Sequence, residues 1–291
     1  MRLTFLCLIY LISTLTFVSV KAQNSLLSYT AQSNILPANT HELGICYTNK
    51  NGGNVYFNGN YMNAGFKMGL SKRFSMGYSL VLANESFVAN SISESDRQTR
   101  LYDASITDKK VAAFSIYTKM KILDNAVYPL GLAIENELIL GANQYTFAPK
   151  LIIDKTFGDH YFAFNAGAIL HTQKNVELTD KALYNGATPS IIHSNQPKFE
   201  VDMAYLHLLD KTNFAIGIEM RTQSEETQEA GLKYLVLFGG PTVHVRNNKW
   251  VLNISAMPQL ANLRKSWIAP DNLVLDAHQR MEIRAAMGFI F

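Results

Sequence analysis

Apolar and polar side chains alternate along most of the chain, in segments of about ten to fourteen residues. In residues 61–70 one face carries Met, Ala, Phe, Met and Leu, and the other carries Asn, Gly, Lys and Gly. Residues 214–221 repeat the pattern, with Phe, Ile, Ile and Met opposite Ala, Gly, Glu and Arg. A period of two is that of a β-strand, and few stretches show helical periodicity. The pattern therefore predicts an all-β chain.

The polar face of these segments indicates which kind of β-protein this is. A soluble β-sandwich also alternates, but its outer face is rich in Lys, Thr and Glu. Here the polar face carries mainly Gly, Ala, Ser and Asn with scattered charges. Small and polar side chains suit a confined interior, so we expect a barrel whose apolar face points outward to lipid.

The connections between the segments alternate in length. Bacterial outer-membrane barrels have short periplasmic turns and longer outside loops. Counting from a strand near His41–Tyr47, the pattern predicts a transmembrane antiparallel up-and-down barrel of about 12 strands, with both termini in the periplasm. The short links lie near Ser71–Arg73, Leu123–Asn125, Gly158–Asp159, Asp210–Thr212 and Asn247–Asn248, and the long loops near Thr48–Asn60, Asn84–Asp108, Thr172–Asn195, Gln223–Glu229 and Arg264–His278, with one shorter outside link at Ala142–Asn143.

The first residues have the form of a secretory signal peptide. Arg2 precedes an apolar run from Leu3 to Val20, and Val20-Lys21-Ala22 suits cleavage by signal peptidase. We therefore expect residues 1–22 to be a signal peptide and residues 23–291 to form the outer-membrane barrel domain. After residue 22 no apolar run is long enough for a transmembrane helix, so a membrane location requires a closed barrel.

Charge and cysteine content narrow the function. The chain has 26 Lys and Arg against 23 Asp and Glu, and leaving out Arg2 and Lys21 gives 24 against 23. This balance gives no electrostatic case for nucleic-acid binding. Cys7 lies in the predicted signal, so Cys46 is alone in the mature chain and has no partner for an internal disulfide. No Cys and His spacing indicates a zinc site, and we expect no cofactor.

The C-terminal sequence MEIRAAMGFIF places Phe289 and Phe291 on one face of the last predicted strand. A terminal aromatic on an alternating strand resembles the signal that the outer-membrane assembly machinery recognises. We therefore expect that machinery and outer-membrane lipid to be partners of the protein, and the localisation to be the bacterial outer membrane. Interfacial aromatic belts are predicted to include Trp250, Trp267, Tyr128, Tyr145 and Tyr161.

The alternation also predicts which charged side chains face the lumen. Opposite charges in a narrow lumen pair across it, so a structural lining network is expected ahead of a selectivity filter for a charged solute. The acidic pairs Glu135/Glu137 and Glu200/Asp202 are formal candidates for a carboxylate dyad, but neighbouring Lys and Arg residues suffice to neutralise them. The predicted lumen residues are Lys119, Lys121, Glu135, Glu137, Lys150, Glu200, Asp202, Glu219, Arg221, His244, Arg246, Glu282 and Arg284.

The enzymatic alternative to a channel is a Ser/His hydrolase, since outer-membrane lipases also use about twelve strands and a Ser/His pair. His193 and Ser194 have the right residue types, but adjacent residues on a strand point to opposite faces, and both fall in a predicted loop. The chain has no GxSxG elbow. The sequence therefore predicts a protein that is not an enzyme, with no catalytic residues and no metal ligands.

Several stretches, taken in order, resemble a family of outer-membrane proteins labelled transporters of the phenol meta-degradation pathway type. The resemblance implies a barrel and transport of small molecules, hydrophobic ones included, but carries over no binding or catalytic residues. The stretches are LPANTHELGI (36–45), FAPKLIIDKTFG (147–158), AIGIEMR (215–221), GGPTVHVRNNKWVLNISAMPQL (239–260) and the closing RMEIRAAMGFIF.

The sequence thus predicts a channel or transporter for a small solute. The alternative is a closed structural barrel that binds an envelope or extracellular partner through its long loops, mainly Asn84–Asp108 and Thr172–Asn195. Loops folded inward would constrict or gate a pore, whereas loops that project outward would favour partner binding.

Overall fold

The computed structural model describes residues 29–52, 57–88, 106–142, 144–177, 190–209, 213–227, 231–247, 249–264, 273 and 279–291. These residues form one closed barrel of twelve antiparallel strands, in which each strand pairs with its neighbours in sequence and β1 pairs with β12. The strands are β1 His41–Asn51, β2 Phe57–Gly69, β3 Phe74–Val88, β4 Ile106–Leu123, β5 Gly131–Gly141, β6 Gln144–Phe157, β7 His160–Glu177, β8 Ser190–Leu208, β9 Phe214–Thr227, β10 Gly231–Arg246, β11 Trp250–Asn262 and β12 Met281–Ile290.

The predicted fold class is therefore confirmed, strand number included. Closure places Glu42 opposite Ile290 and Asn51 opposite Met281. A closed barrel leaves no unpaired strand edge. In the part of the chain that the structure describes, no helix is long and apolar enough to cross a membrane.

The outer wall carries the apolar face of every strand. Leu80 is 50% exposed and Ile218 55% exposed, and many outward neighbours are similarly exposed. Soluble monomers rarely expose a continuous apolar surface of this size. The inward face carries the small and polar residues that the alternation assigns to the lumen. Among the predicted belt residues, Tyr161 is instead 2% exposed and lies inside the barrel, because its position in β7 has the parity of the lumen face.

The two ends of the barrel differ. One end, here called the short-turn end, holds the chain entry to β1, the C-terminus and the tight β6–β7 turn. That turn consists of Gly158 and Asp159 between the paired residues Phe157 and His160. Gly158 has φ 56°, the positive φ that a type II′ hairpin turn requires at its first position.

At the opposite end the strands run further than the sequence predicts. β7 continues to Glu177 and β8 begins at Ser190, inside the predicted loop Thr172–Asn195. The predicted loops at Thr48–Asn60, Asn84–Asp108 and Gln223–Glu229 are shortened in the same way. The loop assignment of His193 and Ser194 was wrong, since both pair with β7. Backbone pairing does not require a regular apolar face, so a strand can continue beyond the part of the sequence that alternates. The remaining parts of these loops, Arg264–His278 apart from Arg264 and Leu273, and residues 1–28 lie outside the described residues.

Candidate functional site

The described chain before β1 enters the lumen. Residues 29–40, here called the N-terminal segment, run from the middle of the barrel to the short-turn end. Thr40 and Asn39 join the rim, where the Asn39 N–H donates to the Gly69 carbonyl (2.9 Å) and the Gly69 N–H donates to the Thr40 carbonyl (2.9 Å). Thr30, Ser33 and Leu36 are all less than a tenth exposed. The segment is therefore part of the barrel interior.

Asp154 of β6 binds the middle of the segment. Its carboxylate accepts hydrogen bonds from the Ser33 N–H (2.6 Å) and the Ser33 hydroxyl (2.8 Å). The Asn125 amide (3.1 Å) and the Tyr161 hydroxyl (2.8 Å) donate to the same carboxylate. Gly131 makes room for this arrangement, because a Cβ at this position would overlap Asp154 and Ser33. A buried carboxylate is tolerated here because neutral donors surround it.

Glu219 of β9 binds the start of the segment, at Tyr29 and Thr30. Its Oε2 accepts the backbone N–H groups of Tyr29 (2.8 Å) and Thr30 (3.0 Å). The Asn165 side-chain amide of β7 pairs with both backbone groups of Ala31. These lumen side chains supply the hydrogen bonds that the segment would otherwise obtain from a neighbouring strand or from water.

The Tyr29 ring lies close to two guanidinium groups. Arg284 of β12 lies 4.8 Å and Arg221 of β9 5.5 Å from the ring centroid. The ring also packs against the buried cluster of Val236, Phe238 and Met257 on β10 and β11. Cation–π contacts in a desolvated place contribute up to about 2 kcal/mol each. The segment is thus held by apolar, polar and charged contacts on the β6–β12 side of the lumen.

A network of ion pairs crosses the lumen beside Tyr29. It joins five strands and contains three basic and three acidic side chains, so its formal charge is zero. The pairs are Lys50–Glu282 (3.8 Å), Arg221–Glu282 (3.3 Å), Arg221–Glu200 (2.7 Å), Lys150–Glu200 (3.3 Å) and Lys150–Asp202 (3.3 Å).

Such a network holds opposite walls together. Arg221 bridges β8 and β12 and is only 12% exposed. Buried ion pairs add little net stability over apolar residues, but removal of one partner leaves an uncompensated charge and is costly. The network therefore fixes the lumen side chains in position.

A polar cavity of about 280 Å³ lies on the side of the segment that faces β1–β5. It is bounded mainly by β1–β5 and β12, and the segment itself contributes Tyr29, Thr30 and Ala31 to its wall. Four glycines on the lumen face of β1, β2, β3 and β12 have no side chain to fill the cavity: Gly44, Gly65, Gly77 and Gly288.

The charged groups of the cavity are arranged as local pairs. Lys67 lies 3.5 Å from Glu42 and its side chain is 45% exposed. Lys119 lies 2.9 Å from Glu135. The Ser115 hydroxyl donates to Glu137 (2.6 Å). Both signs are present within one cavity, which is large enough for several water molecules.

The structure places most of the predicted lumen residues as follows. Lys119, Glu135, Glu137 and Arg284 line the cavity. Lys150, Glu200, Asp202, Arg221 and Glu282 form the crossing network, and Glu219 binds the segment. His244 is fully buried, with its Nδ1 2.5 Å from the Asn253 side-chain oxygen.

Two of the predicted lumen residues lie at the short-turn end, away from the cavity and the network. Lys121 pairs with Asp124 (2.5 Å) in the β4–β5 turn, and this hydrogen bond lowers the pKa of the Asp124 carboxyl. Arg246 is exposed at the end of β10. Phe289 lies on the outward face of β12. Phe291 directly follows the strand, is exposed, and its ring contacts His41 and Phe66.

The N-terminal segment is the feature that sequence reasoning missed. It has no alternating pattern, and no structural role was predicted for it from the sequence. Lys67, Glu42 and Asp154 were also not singled out, although the alternation places them on the lumen face. Within the described residues, no group of three or more His, Cys, Asp and Glu side chains is arranged to hold a metal ion.

Comparison with known proteins settles the family. The model of one protein family matches residues 19–291, and it is described as a family of unknown function (DUF6662). The chain belongs to the DUF6662 family. The resemblance to phenol meta-degradation pathway transporters is not confirmed by this match. No curated protein shows significant sequence similarity to the chain.

Solved structures support the fold. The β-domain of the Bordetella autotransporter BrkA is similar, with a TM-score of 0.53 and 10% identity over 87% of this chain and 100% of that chain. The NanC porin has a TM-score of 0.48 and 9% identity, over 85% and 98% of the two chains. The toluene transporter TodX of Pseudomonas putida has a TM-score of 0.42 and 8% identity, over 92% and 95%. At these identities the comparison with BrkA supports the barrel fold alone, and the other two likenesses carry no argument.

Proposed function

We propose that this protein is a channel of the bacterial outer membrane that passes small polar solutes. The single observation that carries the proposal is the polar cavity of about 280 Å³ beside the N-terminal segment, inside a closed barrel. The exposed apolar outer wall supports the membrane location, because a barrel is the only sheet that satisfies its backbone groups in lipid.

The lining of the cavity favours polar solutes over hydrophobic ones. Lys67, Asn63 and Ser79 present ammonium, amide and hydroxyl groups to the cavity, and Glu42 and Glu135 present carboxylates. An apolar solute would have to displace the water around these groups without replacing its hydrogen bonds. A small polar solute replaces those bonds as it passes.

The N-terminal segment restricts the route. It occupies the β6–β12 side of the lumen, so the free space left among the described residues is the cavity along β1–β5. The hydrogen bonds of the segment to Glu219 and Asp154 then determine how wide the route is. A wider open state requires that these hydrogen bonds break.

A closed structural barrel is the second candidate, and the crossing ion-pair network favours it. The network crosses the lumen from Lys150 on β6 to Lys50 on β1, and the segment occupies the β6–β12 side. In that case the protein would act through partner contacts at the end of the barrel opposite the short-turn end, and the cavity would hold only trapped water.

Single-channel conductance in planar bilayers separates the two candidates. The refolded full chain is expected to give stable ohmic steps. Ala286 lines the cavity, and its strand neighbour Ala285 points outward to lipid. Ala286→Phe should lower the step size at least twofold, since the ring fills part of the narrow route. Ala285→Phe should leave the step size unchanged.

Folding of each variant is checked by its heat-dependent gel shift. Silence from folded wild-type protein would favour the closed barrel and contradict the channel. Equal steps for both phenylalanine variants would contradict the route along β1–β5. In the channel, Lys67→Gln should also shift the reversal potential in a KCl gradient toward cation preference, because it leaves Glu42 without its ion pair.

A further inference from the structure

The outer wall of the barrel has a concave apolar groove of about 540 Å³ across β6–β9. Outward-facing side chains form most of it, and it lies in the half of the wall near the short-turn end. Barrel walls are convex, so a groove of this size is a feature of this particular surface. The apolar side chains that form it include Ile153, Phe162, Phe164, Met203, Ile218 and Met220.

One end of the groove is polar and basic. Lys155 is part of its lining and faces outward, with its ammonium 5.3 Å from the centroid of the Phe157 ring. Across the neighbouring strands, the His160 Nδ1 lies 2.9 Å from the Tyr205 hydroxyl, and the His160 and His207 rings lie 5.1 Å apart. Tyr205 also lines the groove.

This polar end lies at the edge of the apolar wall. Lys155 and His160 flank the β6–β7 turn, where the strands leave the membrane-facing surface. Asp159 in the turn is exposed to water. Within the described residues, Lys155 has no carboxylate within salt-bridge distance, so its charge is available to a ligand at the membrane surface.

We infer that the groove binds an anionic phosphoglyceride, with an acyl chain along Phe162, Phe164 and Met203 and the phosphate at Lys155. An apolar groove that ends in a cation and hydrogen-bonding side chains matches a lipid that joins an acyl chain to a phosphate. The lysine stem packs along the apolar wall while its ammonium stays at the headgroup level. The inference uses the barrel's membrane location but not solute conduction.

A second copy of the chain is the other occupant to consider. The charge at Lys155 disfavours it, because the groove that a second copy would present has no outward-facing carboxylate among its lining residues to pair with Lys155. A lipid phosphate supplies the missing negative charge.

Native mass spectrometry of the detergent-purified full chain tests the inference. The protein is titrated with phosphatidylglycerol or with phosphatidylcholine of the same acyl chains. Phosphatidylglycerol should be retained more strongly, and Lys155→Ala should weaken its retention about fivefold. The matched control is Lys72→Ala, which removes an exposed lysine of the β2–β3 turn at the same end of the barrel and should have no effect.

A second pair of variants tests the groove itself. Met203→Trp fills the groove and should abolish retention, whereas Leu80→Trp adds the same ring to the outward face of β3 and should not. Equal retention of the two lipids, or equal effects of Lys155→Ala and Lys72→Ala, would overturn the inference. Lipid-free dimers that Met203→Trp removes would assign the groove to a second copy instead. Since conductance is not measured, the outcome is independent of the channel proposal.

Discussion

Replacement of Glu219 by alanine should release the start of the N-terminal segment, Tyr29 and Thr30, and widen the channel. Glu219 is fully buried and its Oε2 accepts two backbone N–H groups, from Tyr29 and Thr30. Alanine removes this acceptor without touching the segment itself. The barrel strands keep their backbone pairs, so the change acts on the segment more than on the fold.

The magnitude follows from the two hydrogen bonds. A hydrogen bond to a charged group contributes roughly 1.5–3 kcal/mol. Water enters the space that the carboxylate leaves, so the low end of this range applies. Two bonds then give about 3 kcal/mol, which shifts the equilibrium between the bound and the released segment about 100-fold toward release.

Two measurements report the release. Planar-bilayer recordings should show wider openings at a frequency increased by one to two orders of magnitude. The Cys46 thiol lines the cavity, with Arg284 Nε 3.0 Å from its Sγ, so its reaction rate with a water-soluble maleimide should also rise.

Glu137→Ala is the matched control. Glu137 lines the same cavity, but its described hydrogen bond comes from the Ser115 hydroxyl. It should change neither the frequency of wide openings nor the labelling rate by more than about twofold. If Glu219→Ala and Glu137→Ala behave alike, the segment does not control the route. If labelling rises while conductance stays the same, the segment moves but is not the restriction.

Four further variants test the binding site of the N-terminal segment, the ion pairs of the lumen and assembly. Gly131→Ala should also raise the frequency of wide openings, because its Cβ would overlap Asp154 and Ser33. Unchanged recordings would contradict the binding of the segment at Asp154. Arg221→Ala should lower the free energy of unfolding in detergent by about 3–5 kcal/mol, measured by urea titration, since it leaves buried carboxylates without their guanidinium. Lys67→Ala, which breaks a half-exposed pair, should cost less than about 1 kcal/mol in the same titration. Deletion of Phe291 should reduce the amount of folded barrel in cell membranes while the purified chain refolds in vitro as before; normal membrane levels would remove the proposed role of the C-terminal aromatic in assembly.

Much of the barrel could be predicted from the sequence because its physical cause is local. Side chains on a strand alternate between lipid and lumen, so Ile216, Ile218 and Met220 had to share the outward face opposite Gly217 and Glu219. Tight turns such as Gly158–Asp159 also have a local signature. Strand ends beyond the apolar part were not predictable, because backbone hydrogen bonds leave no mark on side-chain polarity.

The interior of the barrel was predictable only in part. The alternation identified Arg221 and Glu200 as lumen residues, but not that Arg221 also reaches Glu282, which is 61 positions away in the chain. Pairing of this kind depends on which strands closure brings opposite each other. The same holds for the lipid-facing groove, whose walls come from separate strands.

The sequence by itself determined the alternating strands, their number and the sides on which charge and apolar surface lie, since each follows from a period of two and the spacing of turns. Only the tertiary structure decided what fills the barrel. Residues 29–40 have no periodic pattern, and their place in the lumen depends on Asp154, Asn165 and Glu219, three side chains from three different strands. A contact such as that between Tyr29 and Glu219, 190 positions apart, exists only once the barrel has closed around the segment.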